Sequence, residues 1–190
     1  VEQALAEALK RGATQTSELK TIENEHGVFQ TSCIQGIGDI WNEFVSGPKT
    51  QFRPNFEKCE PDSANALETR VARIDHLTNN VPNGEMGHWV EFYKKTYGFI
   101  ETRYFDIQGK KTGLKSKVVQ LKNGKVIIPI NEPDAKDGKS QIQEYLDLHK
   151  GPGIQHIAMT TNKIIDTVAE LQERNIKFLN IPHTYYEDIP

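Results

Sequence analysis

The sequence predicts an α+β fold built from βαβββ modules that form an open, only partly complete barrel. Three observations carry this reading. Ile74-Asp75-His76-Leu77 recurs as Ile154-Gln155-His156-Ile157, each within an alternating run of the kind that makes a half-buried strand. Downstream, Val90-Glu91-Phe92-Tyr93-Lys94-Lys95 through Phe99 matches Ala169-Glu170-Leu171-Gln172-Glu173-Arg174 through Phe178, as a duplicated unit would. Ala6-Glu7-Ala8-Leu9-Lys10-Arg11-Gly12 in turn matches Ala169 to Asn175, with Gly12 and Asn175, two residues that tolerate a left-handed helix end, in the same slot. The chain therefore holds parts of three related units.

Taken in order, Val1 to Arg11 reads as a helix, with Leu5 and Leu9 one turn apart and Gly12 closing it. Ala13 to His26 is polar and aperiodic and is expected to be a connection. Val28 to Ile34 and Ile37 to Val45 are β-rich runs around Gly36, expected as adjacent antiparallel strands. Residues 1–45 thus form the back part of one unit. Gly47, Pro48, Pro54 and Pro61 give residues 46–63 a linker composition, so a second domain is expected over 64–190. Its first module, 71–130, runs as strand Val71 to Thr78, loop Val81 to Gly87, helix Trp89 to Tyr97 ending at Gly98, and strand Phe99 to Ile107. A turn at Gly109 to Gly113, strand Leu114 to Leu121, and an Asn123-Gly124 hairpin into Lys125 to Ile130 complete it. Ser140-Gln141-Ile142-Gln143 has the spacing of a capping box and opens a connecting helix over 140–148. Gly151-Pro152-Gly153 breaks the chain, and the start of the next module occupies 154–190, with strand Ile154 to Met159 and helix Lys163 to Arg174.

Bulk properties exclude several function classes. At 190 residues, 26% charged, with a mean hydropathy of -0.60, the chain is long enough for a sizeable core and has a soluble composition. A net charge of -3 offers no general attraction to nucleic acid or anionic membrane, so neither partner is expected. No apolar run reaches the ~20 residues that cross a bilayer, and Val1-Glu2-Gln3-Ala4-Leu5-Ala6 carries acid where a signal peptide carries base, so a cytoplasmic location is expected. Cys33 and Cys59 make neither a disulfide framework nor a CxxC pair. The chain opens inside a helical pattern and stops partway into its third unit, and it reads as a fragment lacking both ends.

The histidines carry the chemistry. His76 shares a strand face with Ile74 and Thr78, and His156 with Ile154 and Ala158. Alone, such a histidine is more often a core residue with a satisfied N–H. Recurrence of the pair in equivalent positions of two modules reverses that weighting, because two modules packed together enclose a cup in which both imidazoles would meet. Two neutral imidazoles and a carboxylate make the arrangement that leaves positions open on Fe(II). The glutamates of the last helix, Glu170 and Glu173, belong to a solvated outer face, and Glu187 is no better supported. Lys110, Lys111, Lys115, Lys117, Lys122 and Lys125 are expected on a solvated hairpin, and Trp89, Phe92 and Phe99 in the core.

Several segments together resemble the 4-hydroxyphenylpyruvate dioxygenase family. They are Ile74-Asp75-His76-Leu77-Thr78-Asn79-Asn80-Val81, Trp89-Val90-Glu91-Phe92-Tyr93, Ile128-Pro129-Ile130-Asn131-Glu132-Pro133, Lys139-Ser140-Gln141-Ile142-Gln143-Glu144-Tyr145-Leu146 and Gly153-Ile154-Gln155-His156-Ile157-Ala158. The resemblance covers nearly the whole chain. It implies the vicinal-oxygen-chelate fold, as in glyoxalases and bleomycin-resistance proteins. Residues 1–45 would be the rear of an N-terminal domain and 64–190 a truncated catalytic domain. It also implies non-haem Fe(II) and oxidation of a 2-oxo acid, 4-hydroxyphenylpyruvate, by O2 to homogentisate and CO2 in tyrosine and phenylalanine catabolism. By the same resemblance His76 and His156 are the iron ligands and the third, a glutamate, lies beyond Pro190. Ser116, Asn131, Gln141 and Gln155 would be polar cavity residues, the two glutamines nearest the ring hydroxyl, while Pro129 and Pro133 shape the wall. Ser116 and Asn131 could equally bond backbone near strand ends, and Gln141 could be an exposed helix-start residue. A homo-oligomer is expected. The alternatives are hydroxymandelate synthase, which oxidises the benzylic carbon instead of the ring, and a metal-poor binding domain of the same fold. Lacking its third ligand, the fragment itself is expected to be inactive.

Overall fold

A computed structural model describes residues 1–57, 70–108, 113–134 and 138–180. The expected turn at 109–113 lies, but for Gly113, outside these residues, as do residues 58–63 of the linker with Cys59, Lys110, Lys111 and the segment from Pro182 through Glu187. Twelve elements follow in the order α1 (Glu2–Lys10), β1 (Gln15–Asn24), β2 (Gly27–Gln35), β3 (Trp41–Ser46), β4 (Val71–Asn80), α2 (Met86–Tyr97), β5 (Ile100–Gln108), β6 (Gly113–Gln120), β7 (Ile127–Asp134), α3 (Gln141–His149), β8 (Gly153–Thr161) and α4 (Ile164–Glu173). They make an antiparallel sheet β1-β2-β3 and a five-stranded sheet in the order β5-β6-β7-β4-β8. The α+β modules and the open sheet are as the sequence predicts.

Three readings are corrected. The polar stretch expected to connect α1 to the first strand is itself strand β1, paired antiparallel with β2 from Gln15↔Ile34 to Asn24↔Gly27. Its partly buried positions alternate with exposed ones, and pairing with β2 rather than apolar content makes it a strand. The second β-rich run starts at Trp41 rather than Ile37. Ile37 to Ile40 forms the turn, with Ile40 N–H donating to Ile37 O at 3.0 Å and Gly36 N–H to Ile40 O at 2.8 Å. The Asn123-Gly124 turn is also longer than a two-residue hairpin, since the flanking backbone bond runs from Leu121 N–H to Val126 O at 3.0 Å.

By contacts the chain divides into two compact units: Val1–Glu60 with Ile74–Ala158, and Pro61–Arg73 with Met159–Pro190. In the first, α2 crosses one face of the large sheet. Met86, Val90 and Tyr93 recur at helical spacing and are buried with Phe99, Val119, Ile128, Ile130, Val81 and Ile37. Gly98 closes the helix at φ 70°, its N–H donating to Lys94 O. Helix α1 adds a second cluster, Leu5, Ala8 and Ile34, against which Phe44, Phe92 and Tyr97 pack. Glu132 caps α2 from below. It is 8% exposed, and its Oε2 accepts from Gly84 N–H at 3.0 Å and Met86 N–H at 3.2 Å, placing negative charge at the positive helix end.

The second unit is small. Thr167 of α4 is buried and shares a 2.8 Å hydroxyl bond with Thr161, and Arg70 Nε donates to Glu170 Oε1 at 2.8 Å. Asn175 ends α4 at φ 63° with Ile176 N–H bonded to Leu171 O, the same bond that Ala13 makes to Ala8 past Gly12 at φ 94°. The shared helix-end slot read from the repeat is thus the same backbone device.

Removing the Glu132 carboxylate leaves the N–H of Met86 in α2 and of Gly84 in the turn before it without their acceptor. Glu132→Ala is expected to lower unfolding free energy by about 2–3 kcal/mol, read by urea titration, because charged hydrogen bonds contribute more than neutral ones. An unchanged midpoint would show that water replaces the cap. Burial pushes the Tyr97 hydroxyl from 10.0 up to about 12. Between these values the unfolded chain sheds a proton that the folded chain keeps, so stability is expected to fall as pH rises through that window. Phenolate absorbance, followed beside a Tyr97→Phe control, checks it.

Candidate metal centre

Strand alternation sorts the large sheet into two faces. Val119, Ile128 and Ile130 point to α2, and the residues between them point away. Register aligns these in rows: Phe105 beside Ser116, Asn131 and Asn80; Arg103 beside Val118 and Pro129; Gln120 beside Ile127 and His76. This face lines a cavity of 580 Å³ that includes Asp75, His76, Thr78, Thr102 and His156 as well. Thr102 reaches the same side as Arg103 because the β5–β6 register shifts between Glu101 and Arg103, a bulge that bends the strand.

Strands β4 and β8 are neighbours in the sheet, and each begins a repeat. The His76 and His156 ring centroids are consequently 5.6 Å apart, edge to face at 74°. His76 Nδ1 lies 2.8 Å from Asp75 Oδ2, which only accepts, so the ring proton is on Nδ1. His156 Nδ1 meets Gln155 Oε1, also only an acceptor, and the same tautomer follows. Each ring therefore turns its Nε2 lone pair away from its anchor. On His156 that lone pair accepts from the Thr78 hydroxyl, Oγ1 to Nε2 3.0 Å. Burial, and secondarily the neighbouring His76, holds His156 below the ordinary imidazole range, which keeps it neutral.

This donor set fits two of the ligands of a divalent transition metal. First-shell imidazole nitrogens sit at ~2.1 Å, and a ligating histidine characteristically gives its other N–H to a carboxylate or carbonyl, as both rings do. The set is incomplete: among the described residues no group of three or more His, Cys, Asp or Glu could hold a metal.

Of the residues expected in the cavity, His76, His156, Ser116 and Asn131 are brought together, along with Pro129. Asn131 Nδ2 donates to Asn80 Oδ1 at 3.3 Å, linking β7 to β4 beneath the cavity. Gln155 and Gln141 are not among the lining residues. Gln155 alternates away from the cavity face and engages His156, and Gln141 is exposed in the first turn of α3, where Ser140 Oγ accepts from Gln143 N–H at 3.2 Å. Sequence reasoning passed over Arg103, Phe105 and the hydroxyl of Thr78. Arg103 and Phe105 need the register of β5 on β6 to be read, whereas Thr78 was already legible on the His76 face and only its bond to His156 was not.

Comparison with known proteins agrees with this fold. The Glyoxalase/Bleomycin resistance protein/Dioxygenase superfamily matches residues 73–188. A Pseudomonas aeruginosa protein named 4-hydroxyphenylpyruvate dioxygenase is 40% identical over 98% of this chain and 51% of its own length. One of the same name from Yarrowia lipolytica is 34% identical over 100% and 50%. A Vibrio vulnificus protein named hemolysin VllY is 40% identical over 98% and 53%. The chain spans about half the length of the curated relatives it matches. Among solved structures, a mutant of 4-hydroxymandelate synthase from Streptomyces coelicolor superposes with a TM-score of 0.82 at 22% identity, over 98% of this chain and 54% of that one, a likeness of fold.

Replacing His76 with Ala removes the neighbouring ring that disfavours protonation of His156 and opens its surroundings to water. The His156 imidazole is expected to titrate closer to the ordinary value of 6.5 in His76→Ala, measured by NMR. A further downward movement would contradict the stated causes.

Proposed function

The chain belongs to the Glyoxalase/Bleomycin resistance protein/Dioxygenase superfamily, and from that premise we propose that it is part of an Fe(II)-dependent dioxygenase that converts 4-hydroxyphenylpyruvate and O2 to homogentisate and CO2. The observation that carries the proposal is the His76–His156 pair, 5.6 Å apart on adjacent strands at one cavity. Identity of 34–40% to proteins bearing that name supports the substrate.

In this proposal His76 and His156 would hold the iron, with the third donor coming from outside the described residues, and iron held there would supply Lewis-acid and redox chemistry toward a 2-oxo acid and O2. The chain's own residues orient and shield. Asp75 and Gln155 keep both imidazoles in the ligating tautomer. Ser116 and Asn131 present a hydroxyl and an amide to the substrate without burying a charge. Phe105, Val118, Ile127 and Pro129 form an apolar wall that displaces water, and Arg103 contributes a guanidinium to the lining, suited to an anionic substrate. Gln141 and Gln155, which do not line the cavity formed by the described residues, stay in the proposal as contacts to the phenol only in a protein spanning the full length of the relatives.

A second reading, a metal-poor binding domain of the same fold, draws on the absence of a third donor among the described residues. One experiment separates the readings. A protein spanning the full length of the relatives is incubated with iron, O2 and 4-hydroxyphenylpyruvate, and its products and bound iron are measured. Homogentisate is expected, with loss of iron in His76→Ala and His156→Ala. Hydroxymandelate without homogentisate would overturn the assigned reaction, and stoichiometric iron in both variants would overturn the ligands.

A further inference from the structure

Thr78 stands out on the cavity face. It is 2% exposed, lines the cavity on β4 between the rows of His76 and Asn80, and its hydroxyl lies 3.0 Å from His156 Nε2. Direction follows from the ring's other nitrogen: with Nδ1–H given to Gln155 Oε1, Nε2 can only accept, so Thr78 Oγ1–H donates. The atom that receives this hydrogen bond is the atom a metal would take. A lone pair cannot serve both.

We infer that Thr78 is a positioning residue that occupies the His156 ligand lone pair until a metal displaces it, and so sets the metal affinity of the histidine pair. The inference rests on the proposed reading of His76 and His156 as ligands. Without metal, the hydroxyl satisfies a nitrogen that would otherwise lack a partner, and it fixes the ring so that Nε2 faces β4 rather than solvent. On metal entry the bond breaks, and the freed hydroxyl faces a cavity where water or a substrate oxygen can take its hydrogen. Pre-orientation lowers the ordering cost of binding, while the bond itself competes with it. Loss of the hydroxyl removes the competition and leaves the ring held by Gln155, so the net effect is tighter binding.

The test uses the 190-residue chain with Co(II) alone, titrated calorimetrically, in wild type, Thr78→Val, Thr78→Ser and His156→Ala. Valine keeps the shape and removes the donor, and is expected to tighten Co(II) binding about fivefold, the worth of one net hydrogen bond. Serine keeps the donor and is expected to match wild type. Equal or weaker binding in a folded Thr78→Val variant overturns the inference. Unchanged Co(II) binding in His156→Ala instead overturns the reading of the site on which it rests. Nitrogen-15 spectra of the metal-free protein give a second readout independent of affinity. His156 should be the Nδ1–H tautomer in wild type, with its Nε2 resonance moving toward a free imine nitrogen in Thr78→Val. The opposite tautomer, or an unmoved resonance, also overturns the inference.

Discussion

Everything in the larger unit depends on α2 lying across one face of the five-stranded sheet. Val90, Tyr93 and Phe99 bury against Val119, Ile128 and Ile130, and each such side chain contributes roughly 1.5–3 kcal/mol when fully removed from water. Because strand side chains alternate, committing the odd residues of β6 and the even apolar residues of β7 to the helix commits Ser116, Val118, Pro129 and Asn131 to the opposite face. A slip of one residue would turn the cavity lining into the helix contact. The polar wall of the site is thus fixed by the apolar packing behind it, and Glu132 ties the two together by anchoring the start of α2 from the strand that carries Asn131.

Much of this fold was legible in the sequence because its signals are local. Helix α2 announces itself by apolar spacing and a terminal glycine, α3 by its Ser140 cap, and the modules by the repeat around the two histidines. Local signals failed where pairing decides. Strand β1 has no apolar period of its own and exists because β2 lies beside it, and the residues from Ile37 to Ile40 turn although they carry β-formers. The exposed Ile157 and Met159 of β8 and Ile164 and Ile165 of α4 keep the apolar patterning of a buried module without burial among the described residues.

The site divides along the same line. His76 and His156 could be found because duplication marks them, and Ser116 and Asn131 because they lie in segments that resemble a known family. Arg103 and Phe105 could not, since their place in the cavity depends on which residue of one strand stands opposite which residue of the next, and the Thr78 hydroxyl, though on the His76 face, could not be paired with His156 for the same reason. The bulge at Thr102 shows the limit: one extra residue in β5 brings Thr102 and Arg103 to the same side, against plain alternation.

Duplication alone does not make a metal site. Each repeat supplies one imidazole on its first strand, and two such histidines would be useless if the first strands were apart in the sheet. The order β7-β4-β8 sets them side by side, which brings the rings to 5.6 Å and also lowers the proton affinity of His156 through its neighbour. The adjacency that pairs the two rings therefore adds to the burial that keeps His156 neutral, and a neutral imidazole can give its lone pair to a cation. Asp75 and Gln155 differ in charge yet stand at the same place in the repeat and accept from the same ring nitrogen. What the two copies share is an acceptor before each histidine, the requirement a ligand tautomer imposes.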